Sequence, residues 1–172
     1  KMVLEAHPII QHYIELLKIP DIISSYVKYD RRRTLDTERA LTLVIHNYLT
    51  QPHPLYEFQD WVRPLDVKGI GLTEKERDCI QDDRIGKALE SFYFGRHKDV
   101  FFRLALRAIK IFELDCTRLH QDTTSITFCG KYAGWSAHEI LGLGHNKDHR
   151  PDLKQLVLGM TVTADGAVPL SH

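Results

Sequence analysis

No run of the chain comes near the roughly 18 apolar residues that a membrane-crossing helix needs. The opening Lys1-Met2-Val3-Leu4-Glu5-Ala6-His7-Pro8 also has no apolar core of signal-peptide length. Together they give the expectation of a soluble, cytoplasmic protein with no membrane partner. Cysteine is scarce: Cys79, Cys116 and Cys129 are the only three. They stand far apart without Cys-x-x-Cys spacing, which argues against a thiolate zinc site and a disulfide scaffold and for reduced thiols. Neither charge is in surplus, because 23 basic and 23 acidic side chains leave a formal net charge of +0. No global field therefore draws the molecule onto nucleic acid, and any DNA contact must rest on a local patch. There is no internal repeat and no low-complexity tract.

What is present suffices for a core without staples, since 43% of the 172 residues are hydrophobic, enough for one ordinary domain or two small ones. The first two thirds carry helical spacing. His7–Lys18 places Ile9, Ile10, Tyr13, Ile14 and Leu17 on a helix that Pro20 closes, and Asp21 caps a shorter one through Val27. Asp36 caps the next, with Ala40, Leu41, Val44, Ile45 and Tyr48 as its apolar stripe, stopped by Pro52 and Pro54. A short helix follows over Leu55–Leu65, and Lys68-Gly69-Ile70-Gly71 is a loop. Thr73 and Glu76 have reciprocal capping spacing. Asp82 caps a helix through Phe94, which Gly95 ends.

The helix from Arg96 to about Asp115 is the best defined. Phe101, Leu104, Ala105, Ala108 and Phe112 form its core face, and Arg96, Arg103, Arg107 and Lys110 fall in a narrow stripe opposite. After Cys116 the pattern turns to short β runs: Arg118–Cys129, then Leu153–Ala164, then the turn Ala164-Asp165-Gly166 and a short run Ala167–Leu170. Leu156, Leu158, Met160 and Val162 share one side, which specifies register. Asp122 shares parity with Thr124, Ile126 and Phe128. The expected fold class is α+β, with a boundary near residues 113–117 between a helical module, residues 1–115, and a β module, residues 116–172.

Asp122 lies inside the β-prone run Arg118-Leu119-His120-Gln121-Asp122-Thr123-Thr124-Ser125-Ile126. A charge in such a half-buried setting costs several kcal/mol unless something pairs with it, and a divalent metal is one such partner. The metal-free alternative is a carboxylate accepting hydrogen bonds from Thr123, Thr124 or backbone amides.

The Asp-Thr-Thr strand, the segment Lys147-Asp148-His149-Arg150-Pro151-Asp152-Leu153-Lys154-Gln155 and the hairpin Leu156-Val157-Leu158-Gly159-Met160-Thr161-Val162-Thr163-Ala164-Asp165-Gly166 resemble insertion-sequence DDE transposases, whose catalytic domain is RNase H-like. The likeness extends upstream to Pro54-Leu55-Tyr56 and Asp82-Asp83-Arg84-Ile85-Gly86-Lys87-Ala88-Leu89, and so covers nearly the whole chain. The resemblance implies a helical DNA-binding or dimerisation module followed by the first strands of a truncated RNase H-like mixed sheet. It implies Asp122 as a catalytic carboxylate and ligand of Mg²⁺ or Mn²⁺, in a class of enzyme where paired ions activate the nucleophile and stabilise the departing oxygen. The family's other Asp and Glu fall downstream of residue 172, so no strand transfer is expected of this chain alone. Implied partners are transposon-end DNA and a second copy of the chain.

DNA-contact candidates are Arg96, Arg103, Arg107 and Lys110 on the long helix, and Lys147, Arg150 and Lys154 beside the sheet, because phosphates need cations presented on one surface. Arg31-Arg32-Arg33 is a further run, with a solvated surface as its ordinary explanation. Three rival readings are carried. A non-catalytic module binds DNA or pairs with intact transposase and inhibits it. A small metal hydrolase uses His145, Asp148 and His149, completed by His138 or His120. A remnant has no selected role. Trp61 and Trp135 are stacking candidates whose ordinary explanation is packing.

Overall fold

Proline marks two helix starts. Pro8 and Pro20 stand in the first turns of α1 (His7–Leu16) and α2 (Ile19–Tyr26), where the missing N–H removes no helical hydrogen bond. The computed structural model describes residues 4–27, 34–129, 141–144 and 150–171. Lys18, between these two helices, holds the left-handed conformation at φ 53°, ψ 41°, which costs an L-residue about 1–2 kcal/mol. The helices continue as α3 (Thr37–Leu49), a 3-10 turn (Leu55–Glu57), α4 (Phe58–Val62), α5 (Glu74–Arg77), α6 (Asp82–Phe94) and α7 (His97–Phe112). The capping pattern read from Thr73 and Glu76 is formed: the Thr73 hydroxyl accepts from the Glu76 N–H, and the Glu76 carboxylate accepts from the Thr73 N–H.

Other caps differ from expectation. Asp36 stands at the N-cap of α3 without a side-chain hydrogen bond. Gln81 caps α6, while Asp82 is its first helical residue and accepts from the Asp83 N–H. Gly95 follows α6 with φ −79° and ψ −162°, extended rather than left-handed.

The helices bury one core of Ile23, Val27, Leu35, Leu43, Phe58, Val62, Ile80, Ile85 and Val100, among others. Two faces match periodicity only in part: Ala40 and Leu41 of α3 and Ala105 of α7 are buried as expected, and Val44 and Leu104 pack against the core. In α3 the buried arc includes Leu43, His46 and Asn47, while Tyr48 is 76% exposed. The cause is that α3 packs against α1, α2 and α6, so its covered arc is wider than one apolar stripe and takes in polar groups with hydrogen-bond partners. His46 Nδ1 lies 3.2 Å from His7 Nδ1, and His46 Nε2 lies 3.1 Å from Gln11 Oε1. In α7, Val100, at the edge of the arginine stripe, is buried, and Phe112, assigned to the core face, is exposed. Of the stripe, Arg96, Arg103 and Lys110 are exposed and Arg107 is half-buried, and the three guanidinium groups have polar partners.

The sheet contains β1 (Leu119–Phe128), β2 (Gly142–Leu143), β3 (Lys154–Thr163) and β4 (Pro169–Ser171), and every described pairing is antiparallel. β3 is central. β1 runs along one edge for its whole length, with Asp122 opposite Met160 and Ile126 opposite Leu156. β2 and β4 share the other edge at opposite ends, with an irregularity at Thr161/Val162. Register puts Leu156, Leu158, Met160 and Val162 on one side, as their spacing requires. Thr163 is buried where the turn closes, donating its N–H to the Val168 carbonyl while its hydroxyl accepts from the Val168 N–H.

The fold is thus α+β, seven α-helices followed by a small four-stranded antiparallel sheet among the described residues. The chain divides into two compact units, Lys1–Ile111 and Phe112–His172. Among the described residues no helix is long and apolar enough to cross a membrane.

Candidate functional site

Asp122 sits near the middle of β1, exposed, on the same face as His120 and Thr124 and opposite Met160. Its Oδ1 accepts from the Thr123 N–H at 2.8 Å, the hydrogen bond that the metal-free alternative calls for. No group of three or more His, Cys, Asp or Glu that could hold a metal is found among the described residues. Those residues therefore supply one carboxylate and do not make up a divalent-metal centre, and no chemical step is derived through Mg²⁺ or Mn²⁺ here.

The arginine stripe is brought together around Tyr26. The Arg96 guanidinium lies 5.4 Å from the Tyr26 ring centroid and also pairs with Asp99, Nε to Oδ2 at 2.6 Å. Arg103 Nε donates to the Tyr26 hydroxyl at 3.0 Å, and this hydrogen bond holds the guanidinium pKa above its ordinary value. Arg107 donates from Nε and Nη2 to the Leu16 carbonyl at 3.2 and 2.9 Å. That places a cation on the last turn of α1, where the helix dipole is negative. Lys110 is exposed in the last turn of α7.

Between α2 and α7 these contacts leave a cleft of about 280 Å³ whose charged and hydroxyl lining is Lys18, Asp21, Ser25, Tyr26, Arg103 and Arg107. On the other side of Tyr26 is a second cavity of about 450 Å³, lined by Ser91, Phe94, Gly95 and Arg96 as well. Lys18 and Tyr26 were not singled out from the sequence. Tyr26 had no signal beyond its place at a helix end, and the left-handed backbone of Lys18 is invisible without coordinates.

The sheet-side candidates divide. Arg150 sends Nε and Nη2 to the two carboxylate oxygens of Asp152, at 2.8 and 2.7 Å; the pairing raises the arginine and lowers the carboxyl from their ordinary pKa values. Lys154 is half-buried at the start of β3, opposite Phe128 and Leu143. Arg31–Arg33, Trp135, His138, His145, Lys147, Asp148 and His149 lie outside the described residues, which leaves the zinc candidates with His120 alone. Trp61 is half-buried against the core, edge-on to Phe58 and His7 with ring centroids 5.4 and 5.8 Å apart, as packing would have it.

Fold and site together define an α+β chain whose helical unit carries a cationic cleft and whose sheet carries a lone strand carboxylate. A family model described as "Domain of unknown function (DUF4277)" matches residues 2–106, from the chain's start to within α7. The chain belongs to that family. No curated protein and no solved structure matches.

Proposed function

We propose that the chain is the N-terminal part of an insertion-sequence DDE transposase, in which the helical unit binds DNA and associates with a second copy, and the sheet opens an RNase H-like catalytic domain. The observation that carries this reading is Asp122, exposed on the first strand of an antiparallel sheet that follows a helical unit in the chain. It is supported by the sheet face that Asp122 shares with Ile126, Leu158 and Met160. Ile126 and Met160 are 42% and 43% exposed, a degree of apolar exposure suited to a sheet that further structure covers. The reading requires two more carboxylates from outside the described residues, with Mg²⁺ or Mn²⁺ as the bound ions.

The test begins with the reading frame beyond the codon for His172, where the proposal expects an Asp and a Glu. The extended protein should cut terminal-repeat DNA in Mg²⁺ or Mn²⁺, and Asp122→Asn should reduce cutting to background while leaving DNA binding intact. A frame that closes without these residues, or an Asp122→Asn protein that cuts as well as its parent, ends the proposal.

A further inference from the structure

We propose that the cleft between α2 and α7 seats one phosphodiester of a nucleic-acid backbone, with the Lys18 ammonium and the Arg103 guanidinium as direct partners and Tyr26 and Arg107 as positioning residues. This rests on the reading of the chain as a DNA-binding module.

Three cations, Lys18, Arg103 and Arg107, face one carboxylate, Asp21, around the cleft. Their hydrogen bonds sort them. Arg103 commits only Nε, to the Tyr26 hydroxyl, which fixes the plane of the guanidinium and leaves its two terminal nitrogens to donate together to a phosphate. Arg107 spends Nε and Nη2 on the Leu16 carbonyl, so it contributes charge and rigidity more than direct donors. The Ser25 hydroxyl donates to the Asp21 carbonyl at 2.8 Å and is not counted as a donor. Lys18 lines the cleft from a left-handed backbone, at a position where glycine would relax the chain. Local strain kept at a ligand-facing side chain is the pattern expected of a binding residue.

With the Asp21 carboxylate on the rim, three cations against one anion leave the cleft a surplus of two positive charges, which suits a phosphate anion. Lys18, Asp21 and Arg103 are exposed, so a polymer backbone can reach them. Tyr26 also lines the second cavity with Arg96, whose charge is paired with Asp99 and is not counted.

The experiment is fluorescence anisotropy of the full chain with a short labelled duplex over a salt series. Lys18→Gly and Arg103→Gln should each weaken binding about five- to tenfold and make the slope of log K against log salt shallower by about 1. Lys75→Ala, on α5, should leave both unchanged. Lys18→Gly should also raise the urea midpoint, because it removes the left-handed strain; weaker binding by a more stable protein cannot be a folding defect. Parent-like affinity and slope in both variants overturn the proposal and leave the transposase reading standing. A parent chain that ignores the duplex, while millimolar inorganic phosphate shifts the Lys18 and Arg103 amide resonances, makes this a free-phosphate site and overturns it too. A parent that binds neither overturns it outright, with the transposase reading still decided by the downstream frame and Asp122→Asn.

Discussion

His46 is 0% exposed and His7 1%, and the partners around them fix which nitrogens carry protons. Gln11 donates its amide N–H to the Glu15 carboxylate at 2.8 Å, so its carbonyl oxygen is what His46 Nε2 meets, and Nε2 carries the hydrogen. His46 Nδ1 must then accept from His7 Nδ1–H. That leaves His7 Nε2 bare and without a hydrogen-bond partner, 3.8 Å from the Glu5 carboxylate. Both rings are thus built to be neutral. Burial, with His7 adding to it, pushes His46 down to about 4, and burial lowers His7, opposed by Glu5. A base whose folded pKa is depressed binds fewer protons folded than unfolded, so stability is full above the ordinary value of 6.5 and drains away as pH falls toward about 4. For His46 the full drop is worth roughly 3 kcal/mol. Glu38, whose carboxyl is pushed up by burial, works in the opposite sense, gaining stability for the fold as pH falls. The urea midpoint should fall between about pH 7 and pH 5, and His46→Gln should be less stable at neutral pH but lose much of that pH dependence. An undiminished dependence in the variant would assign the effect elsewhere.

At the scale of elements, α5 is only four residues long, too short to persist on propensity, and it is held by its ends. Besides closing the capping box, Glu76 pairs with Arg39 of α3, Oε1 to Nε at 3.7 Å, and Arg39 also donates to the Gly71 carbonyl. Gly71 has φ 69°, and a Cβ there would meet the Gln11 side chain, so the loop before α5 is locked against both α1 and α3. Thr73→Ala should cost about 1 kcal/mol, measured as a shift in urea midpoint; Glu76→Ala should cost more, since it also releases Arg39. This capping box was legible in the sequence because both partners lie three residues apart. β1 and β3 were legible to within a residue at each end, because alternation from Leu156 to Val162 and the turn at Ala164-Asp165-Gly166 each point to one register; β4 starts two residues later than its expected run, and the two-residue β2 was not foreseen. The faces of α3 and α7 were legible only in part, since Ala40, Leu41 and Ala105 are buried as expected while Tyr48 and Phe112 are exposed. Periodicity marks the apolar residues of a helix but not how many neighbours will cover it, and Arg103 and Arg107 look the same in sequence whether they meet solvent, Tyr26 or the end of α1. The candidate site was half visible for the same reason: its arginines stand out at helical spacing, while Lys18 and Tyr26 join them only through the side-chain contacts that Arg103 and Arg107 make with Tyr26 and the Leu16 carbonyl.

For the whole molecule, the formal net charge of +0 sets how it can engage a polyanion. A strongly basic domain is steered from a distance and releases many counterions, whereas this chain has to work through a few cations that are not already satisfied. Arg96 and Arg150 are paired with Asp99 and Asp152, and Arg107 is bound to the Leu16 carbonyl. Around the α2–α7 cleft and along the α7 stripe, Lys18, Arg103 and Lys110 remain exposed. Contacts with about three phosphates correspond to a slope of log K against log salt of about −3, close to 0.9 per phosphate. The helical unit acting alone should therefore give duplex binding of modest affinity with that shallow slope, and little acceleration of association at low salt. A slope near −6 would mean that as many cations again take part, either on the sheet side, where Lys147, Arg150 and Lys154 cluster in sequence, or elsewhere on the helical unit, where Lys68, Lys75, Lys87 and Lys98 are exposed; reversing Arg150 and Lys154 to Glu brings it back toward −3 only in the first case. A slope near zero would mean that phosphate charge plays no part, and with it would go the assignment of the α2–α7 cleft to a nucleic-acid backbone.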